Sequence, residues 1–282
     1  MIKILVLAIF SWSVLAGGSS HAQVAPNAAE VRVYGGRPVR GDEAPWLAVI
    51  YLANRGASTG LLCGATVIAP KWVLTAAHCF FDIGGDRIST MLLGLAIVSL
   101  RLNGQKQVLE IDDVIVQDGY KLPDWDKDIA LVRLKRPISG KVSPIALASN
   151  EDEKDAPSSF KVAGWGKTET VAISNDLLSA TIKQVPLSEC AKFYPAGLTN
   201  RTLCAGDPPK DACHGDSGGP LYVGAGEKAV QFGVVVAGDG CGTKPGVYAR
   251  ISQHREWIDK TVKASGDKLF VCTPEREAKK EC

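Results

Sequence analysis

Short runs rich in Val, Ile and Leu recur along the chain. They lie at Trp46–Leu52, Ala65–Ile68, Lys71–Leu74, Val108–Ile111, Asp128–Lys135, Phe160–Gly164, Leu178–Val185, Val230–Val236 and Val247–Ile251. Turn residues separate them, from a stock of 29 glycines and 15 prolines. Apolar, β-branched runs of this length between turns read as strands. Without alternating helical patterns they favour all-β barrels or sandwiches over βα units. The polar stretch Ser149–Ser159, with its charge cluster Glu151–Asp155, reads as a linker between two halves. Near the end, Ser252 is placed to cap a helix through Val262, with Trp257, Ile258 and Val262 on one side. A charged tail with Cys272 and Cys282 follows Gly266.

At 282 residues the chain is long enough for about two domains of ordinary size. Apolar residues at 46% and charged residues at 22% exclude disorder for most of it. The net charge is +2, with no clustered basic excess, which argues against nucleic acid as a partner.

Residues 1–22 run from Lys3 through the mostly apolar Ile4–Leu15 to Ser20-His21-Ala22. A positive start, an apolar centre and a small-x-small site make a secretory signal. The apolar centre of about twelve residues is shorter than the roughly 20 a membrane helix needs. The expected location is therefore secreted or periplasmic, with no membrane association after signal removal. All eight cysteines follow this segment, at 63, 79, 190, 204, 213, 241, 272 and 282. An even count in an exported chain reads as disulfides, and no C-x-x-C pair points to zinc.

Histidine suits proton transfer near neutral pH, and only four occur. His21 leaves with the signal, His254 sits in the expected terminal helix and His214 in a loop. His78 lies in Thr75-Ala76-Ala77-His78-Cys79, directly after an apolar run. Taken alone, a histidine near a core is more often structural than catalytic. A second element is Cys213-His214-Gly215-Asp216-Ser217-Gly218-Gly219-Pro220. Glycines flanking a serine permit a tight turn and free amide groups for a developing oxyanion. In isolation such a run is equally a plain glycine turn. The third is Asp128-Ile129-Ala130-Leu131, an acid opening a strand, which by itself is usually just solvated.

Together, TAAHC, DIAL and GDSGGP in the order His, Asp, Ser resemble the chymotrypsin/trypsin family of serine endopeptidases, from Val33 to about Val262. The resemblance implies an all-β fold of two six-stranded antiparallel β-barrels, with the active site in the cleft between them, plus a C-terminal helix. The expected organisation is a signal at 1–22, an activation propeptide at 23–32 and a peptidase domain at 33–262. Within that domain the barrels span about 33–148 and 160–251 and the helix about 252–262, and 263–282 form the tail. The resemblance implies that Ser217 attacks the scissile carbonyl, His78 takes its proton and Asp128 orients the imidazole. The N–H groups of Gly215 and Ser217 then form the oxyanion hole. Cys63–Cys79, Cys190–Cys204 and Cys213–Cys241 follow as disulfides, leaving Cys272 and Cys282 to pair with each other.

By the same resemblance, Asp211 stands at the base of the primary pocket and Gly238 and Gly246 form its open walls. This implies protein or peptide substrates with Arg or Lys at the cleaved bond. Ala212 lacks a hydroxyl that favours lysine, so arginine is preferred. Arg32-Val33-Tyr34-Gly35-Gly36 resembles an activation site, cleavage freeing a Val33 ammonium to pair with Asp216. The expected protein is a monomer without cofactor, and no calcium loop is evident between Leu93 and Glu110. Two positions depart from the family pattern. Val236 and Ala237 stand where most relatives have Ser and Trp. The competing readings are a protease-fold binding protein that has lost catalysis, against which all three reactive residues speak, and an esterase.

Overall fold

A computed structural model describes residue 33 and residues 35–98, 100–140 and 142–270. These belong to one unit, Val31–Cys282, and only that unit is described. The expected signal, Arg32, Cys272 and Cys282 lie outside the described residues.

The strands in chain order begin with β1 (Arg37–Pro38), β2 (Leu47–Leu52), β3 (Leu61–Ala69), β4 (Trp72–Thr75) and β5 (Leu93–Val98). There follow β6 (Lys106–Leu109), β7 (Ile111–Val116), β8 (Ala130–Leu134), β9 (Ala146–Leu147) and β10 (Ser159–Gly164). The last are β11 (Leu178–Val185), β12 (Thr202–Gly206), β13 (Pro220–Val223), β14 (Val230–Ala237) and β15 (Gly246–Arg250). They make two antiparallel, curled sheets. One runs β6-β5-β2-β3-β4-β8-β7. The other runs β11-β10-β13-β14-β15-β12 and closes into a six-stranded barrel because β12 pairs back onto β11. The fold is the expected one, with the first sheet an open curl of seven strands. The run Val108–Ile111 straddles two of them, since the chain bends at Glu110.

Two short segments join the sheet that lies farther along the chain. β1 pairs with β11, Arg37 opposite Ser179, and β9 pairs in parallel with β14. Residues near both ends of the span expected for the first barrel thus serve the second. Val33, just before β1, is 1% exposed in a cluster with Phe160, Leu178 and Phe232.

Nearly every residue of β2 is buried, as are Trp46 and Trp72, so the first sheet curls over an aliphatic and aromatic core. Burial of that apolar area drives the curl. On β14 the register against β15 slips: Val235 faces Tyr248 and Ala237 faces Val247. Val236 is the extra residue of a β-bulge, a device that re-aims side chains beside a site.

The stretch Ser149–Ser159 is more ordered than a linker. Ser149 and Asp152 form a capping box for a short helix, Asn150–Lys154, and Glu153 pairs with Arg250 of β15. The terminal helix spans Ile251–Ala264, a little longer than expected, and Ser252 is not its cap. Arg250 holds that position without a side-chain hydrogen bond, and Ser252 is buried in the first turn. The stripe facing the core is Ile251, His254, Ile258 and Val262, with Trp257 at its edge. That stripe, rather than a serine cap, fixes where the helix starts.

Candidate active site

β4 ends at Thr75, and a single tight turn at Ala77–Phe80 then presents His78 from between the buried Ala77 and Cys79. A disulfide ties Cys79 to Cys63 on β3 and braces that turn. The Asp128 carboxylate, 2% exposed, receives His78 N–H at 2.8 Å on Oδ1 and faces Nδ1 at 2.7 Å on Oδ2. A carboxylate can only accept, so Nδ1 carries the proton and Nε2 is left as the basic nitrogen. Burial works against the imidazolium, but the Asp128 hydrogen bond and charge outweigh it, and the His78 pKa rises above its ordinary value.

Ser217 lies in the turn Gly215–Gly219, and its carbonyl accepts from Gly64 N–H on β3 at 2.7 Å. Gly218 must be glycine. Its φ is +77°, and a Cβ there would meet Thr75 Oγ1 at 2.1 Å and Gly64 O at 2.5 Å. The serine turn is thus pressed against the end of the strand that delivers His78. Among the described residues, no hydrogen bond joins Ser217 Oγ to His78, and the N–H groups of Gly215 and Ser217 have no protein acceptor. Gly215, at φ +94°, points its backbone in a direction other residues rarely adopt.

Asp216 turns the other way, into the second barrel. Its carboxylate accepts from Gly166 N–H at 2.8 Å and Cys213 N–H at 2.9 Å. A Cβ on Gly164 or Gly166 would come within 2.1 or 2.5 Å of that carboxyl group, so the two glycines form its cradle. Burial pushes its pKa up to about 6, although both backbone donors pull it down.

A cavity of about 310 Å³ opens beside Ser217, lined by Ala212, Cys213, Val235 to Gly238 and, from the first sheet's half, Trp125. The disulfide Cys213–Cys241 joins two of its walls, and Cys190–Cys204 is also formed. Asp211 is 1% exposed and lies below the lining rather than on it. Gly242 N–H reaches its Oδ2 at 3.1 Å, while Oδ1 has no partner. Burial pushes the Asp211 pKa up to about 7. At Gly246 a Cβ would sit 3.1 Å from that Oδ1, and Gly238 lies directly across from Gly246. A side chain at Gly246 would occupy the space above the acid. Cysteine and histidine cluster near Cys63, His78 and Cys79 and near Cys213, His214 and Cys241. All four cysteines are spent in disulfides, so neither group offers a thiolate to a metal.

The structure also brings in residues that carry no reactive group. Trp125 packs edge-on to Tyr194 at 5.2 Å between ring centres, and Gly64, Gly164 and Gly166 shape the turns around Ser217 and Asp216. The only trace of them in the sequence is Gly164-Trp165-Gly166, which has no chemistry of its own.

The Trypsin family model matches residues 33–258. CLIP domain-containing serine protease B4 of Anopheles gambiae is 36% identical over 249 residues, covering 80% of this chain and 69% of that protein. Transmembrane protease serine 5 of Homo sapiens is 36% identical, covering 83% of this chain and 52% of its own. Urokinase-type plasminogen activator of Gallus gallus is 32% identical, covering 83% and 58%. The chain thus spans between about half and two thirds of the length of these relatives.

Proposed function

Because the chain belongs to the trypsin family of serine endopeptidases, we propose that it is exported as a zymogen and, once cut after Arg32, cleaves protein substrates after arginine or lysine. The observation that carries the specificity is the unpartnered Asp211 Oδ1, buried beneath a cavity whose glycine walls leave room for a long side chain. A buried acid without a counter-charge is costly, and an incoming guanidinium or ammonium supplies one. Arginine is favoured because it reaches the carboxylate through two nitrogens, while Ala212 offers lysine no hydroxyl.

The chemistry follows from the His78–Asp128 pair. His78 Nε2 takes the proton of Ser217 Oγ as that oxygen bonds to the scissile carbonyl carbon. Asp128 holds the tautomer and stabilises the resulting imidazolium. The carbonyl oxygen, now negative, is received by the N–H groups of Gly215 and Ser217, each worth roughly 2.7–4 kcal/mol in this role. His78 then protonates the leaving amine, and water repeats the sequence to release the acyl group. In activation, the Val33 ammonium pairs with Asp216, whose carboxylate, among the described residues, accepts only from backbone donors. The apolar leader and the disulfides support an extracytoplasmic location. Among the described residues, no helix is long and apolar enough to cross a membrane.

The test is Asp211→Ser in the trypsin-cleaved protein, assayed on arginyl, lysyl and phenylalanyl substrates. Loss of the arginyl and lysyl preference with fluorophosphonate labelling of Ser217 retained is expected. A wild type that prefers phenylalanyl substrates overturns the specificity.

A further inference from the structure

We propose that Glu169 is a positioning residue that latches the segment beginning at Val33 to the turn carrying Ser217, so that seating of the segment and readiness of the oxyanion amides are coupled. This rests on the activation reading above. The Glu169 carboxylate accepts Gly35 N–H at 3.0 Å. Gly35 is also covered by Lys210: a Cβ at Gly35 would lie 2.4 Å from Lys210 Cγ. The segment therefore meets both an acid and the stem of the lysine that precedes Asp211. Two residues earlier Val33 is buried, at φ +43°, a conformation a β-branched residue rarely holds without outside support.

Glu169 stands on a turn that keeps its own shape. Thr168 N–H donates to Val171 O at 2.9 Å, and Thr168 Oγ1 accepts from the Thr170 and Val171 amides at 3.2 and 3.0 Å. Immediately before that turn, Lys167 N–H donates to His214 O at 2.7 Å and Gly166 N–H to Asp216 Oδ1 at 2.8 Å. His214 and Asp216 flank Gly215, and Asp216 precedes Ser217. The stretch Gly166–Glu169 thus holds the N-terminal segment at one end and both sides of the oxyanion turn at the other. Breaking the Glu169 bond removes the side-chain link between them while leaving the triad untouched.

The experiment compares Glu169→Ala and Glu169→Gln with wild type after cleavage behind Arg32, and wild type before cleavage. Readouts are kcat and KM on an arginyl substrate, the rate at which cyanate carbamylates the Val33 α-amine, and Tm. Glu169→Ala is expected to lower kcat by about fivefold, the scale of one exposed charge-assisted hydrogen bond, and to speed carbamylation. Glu169→Gln, which keeps an acceptor oxygen, should recover most of both. Wild-type kcat and carbamylation in Glu169→Ala overturn the latch, as does a glutamine variant as impaired as the alanine one, or a loss seen in Tm alone. Full activity of uncleaved wild type would instead overturn the activation reading. The latch is then judged on the uncleaved protein, by kcat of the alanine against the glutamine variant.

Discussion

His78 reaches the Asp128 carboxylate twice, through its backbone N–H to Oδ1 at 2.8 Å and its ring Nδ1 to Oδ2 at 2.7 Å. Among the described residues no third donor completes the set; the resemblance implies one from the serine that most relatives carry at the position of Val236, a bulged residue of β14 beside the cavity whose side chain has none to give. One residue therefore both positions the acid and depends on it.

Supplying a third donor should help. Val236→Ser is expected to raise kcat by up to about tenfold, equivalent to about 1.4 kcal/mol in the transition state. Steady-state kinetics on an arginyl substrate checks it. An unchanged or lowered kcat means Asp128 is held well enough by His78 alone.

On the proposed mechanism, the raised His78 pKa sets the acid limb of activity. The base works only when neutral, so kcat/KM should fall as pH drops through a value above the ordinary 6.5. In Ser217→Ala protein, proton NMR should show His78 titrating above that value. Adding Asp128→Asn should bring the titration down, because the partner that favours the imidazolium is gone.

Asp211, pushed up to about 7, predicts a second pH effect in binding. Below that pH the carboxyl is neutral and attracts no cation, so a small aryl amidine inhibitor should bind about tenfold more weakly per pH unit lost. Calorimetric titration between pH 5 and 8 measures it. Asp211→Ser should abolish the dependence.

His254, 1% exposed on the terminal helix, is pushed down to about 4 by burial and by the Arg201 charge, against the pull of Asp126. The folded state therefore binds fewer protons there than the unfolded chain between pH 6.5 and 4. Stability present above pH 6.5 is lost as pH falls toward 4, by about 3 kcal/mol from this residue. Denaturant melts of wild type and His254→Phe across pH should show the wild type losing about 3 kcal/mol more than the variant as pH falls from 6.5 toward 4. Parallel pH profiles would remove His254 as the cause.

Trp125 is the cavity's one large aromatic wall and comes from the first sheet's half. Trp125→Ala should widen the mouth and raise kcat/KM for peptides with a bulky residue before the arginine, by about tenfold relative to glycine there. A peptide library scanned at that position reads the ratio directly.

Much of this was legible along the chain because it depends on near neighbours. A run such as Leu178–Val185 carries its strand preference locally, and it is a strand over the residues expected. The candidate reactive residues His78, Asp128 and Ser217 lie inside compact motifs, so they could be proposed before any fold existed. Strands β12 and β13, Thr202–Gly206 and Pro220–Val223, gave little signal, being short and bounded by Gly or Pro. They are strands because the barrel supplies their hydrogen-bond partners, β11 and β15 for β12 and β10 and β14 for β13. The placement of Ser252 failed for a related reason: burial of Ile251 and His254 outweighed a side-chain cap. The grip of Glu169 on Gly35 spans 134 positions, and Trp125 meets Tyr194 across the two halves. No local pattern encodes such contacts, because their energy exists only once distant segments have been brought together by burial of the two cores. Sequence alone determined which motifs carry the candidate reactive groups and which segments prefer to be strands. The tertiary structure decided what faces the cavity, which acid is left unpaired, and what holds the reactive turn in place.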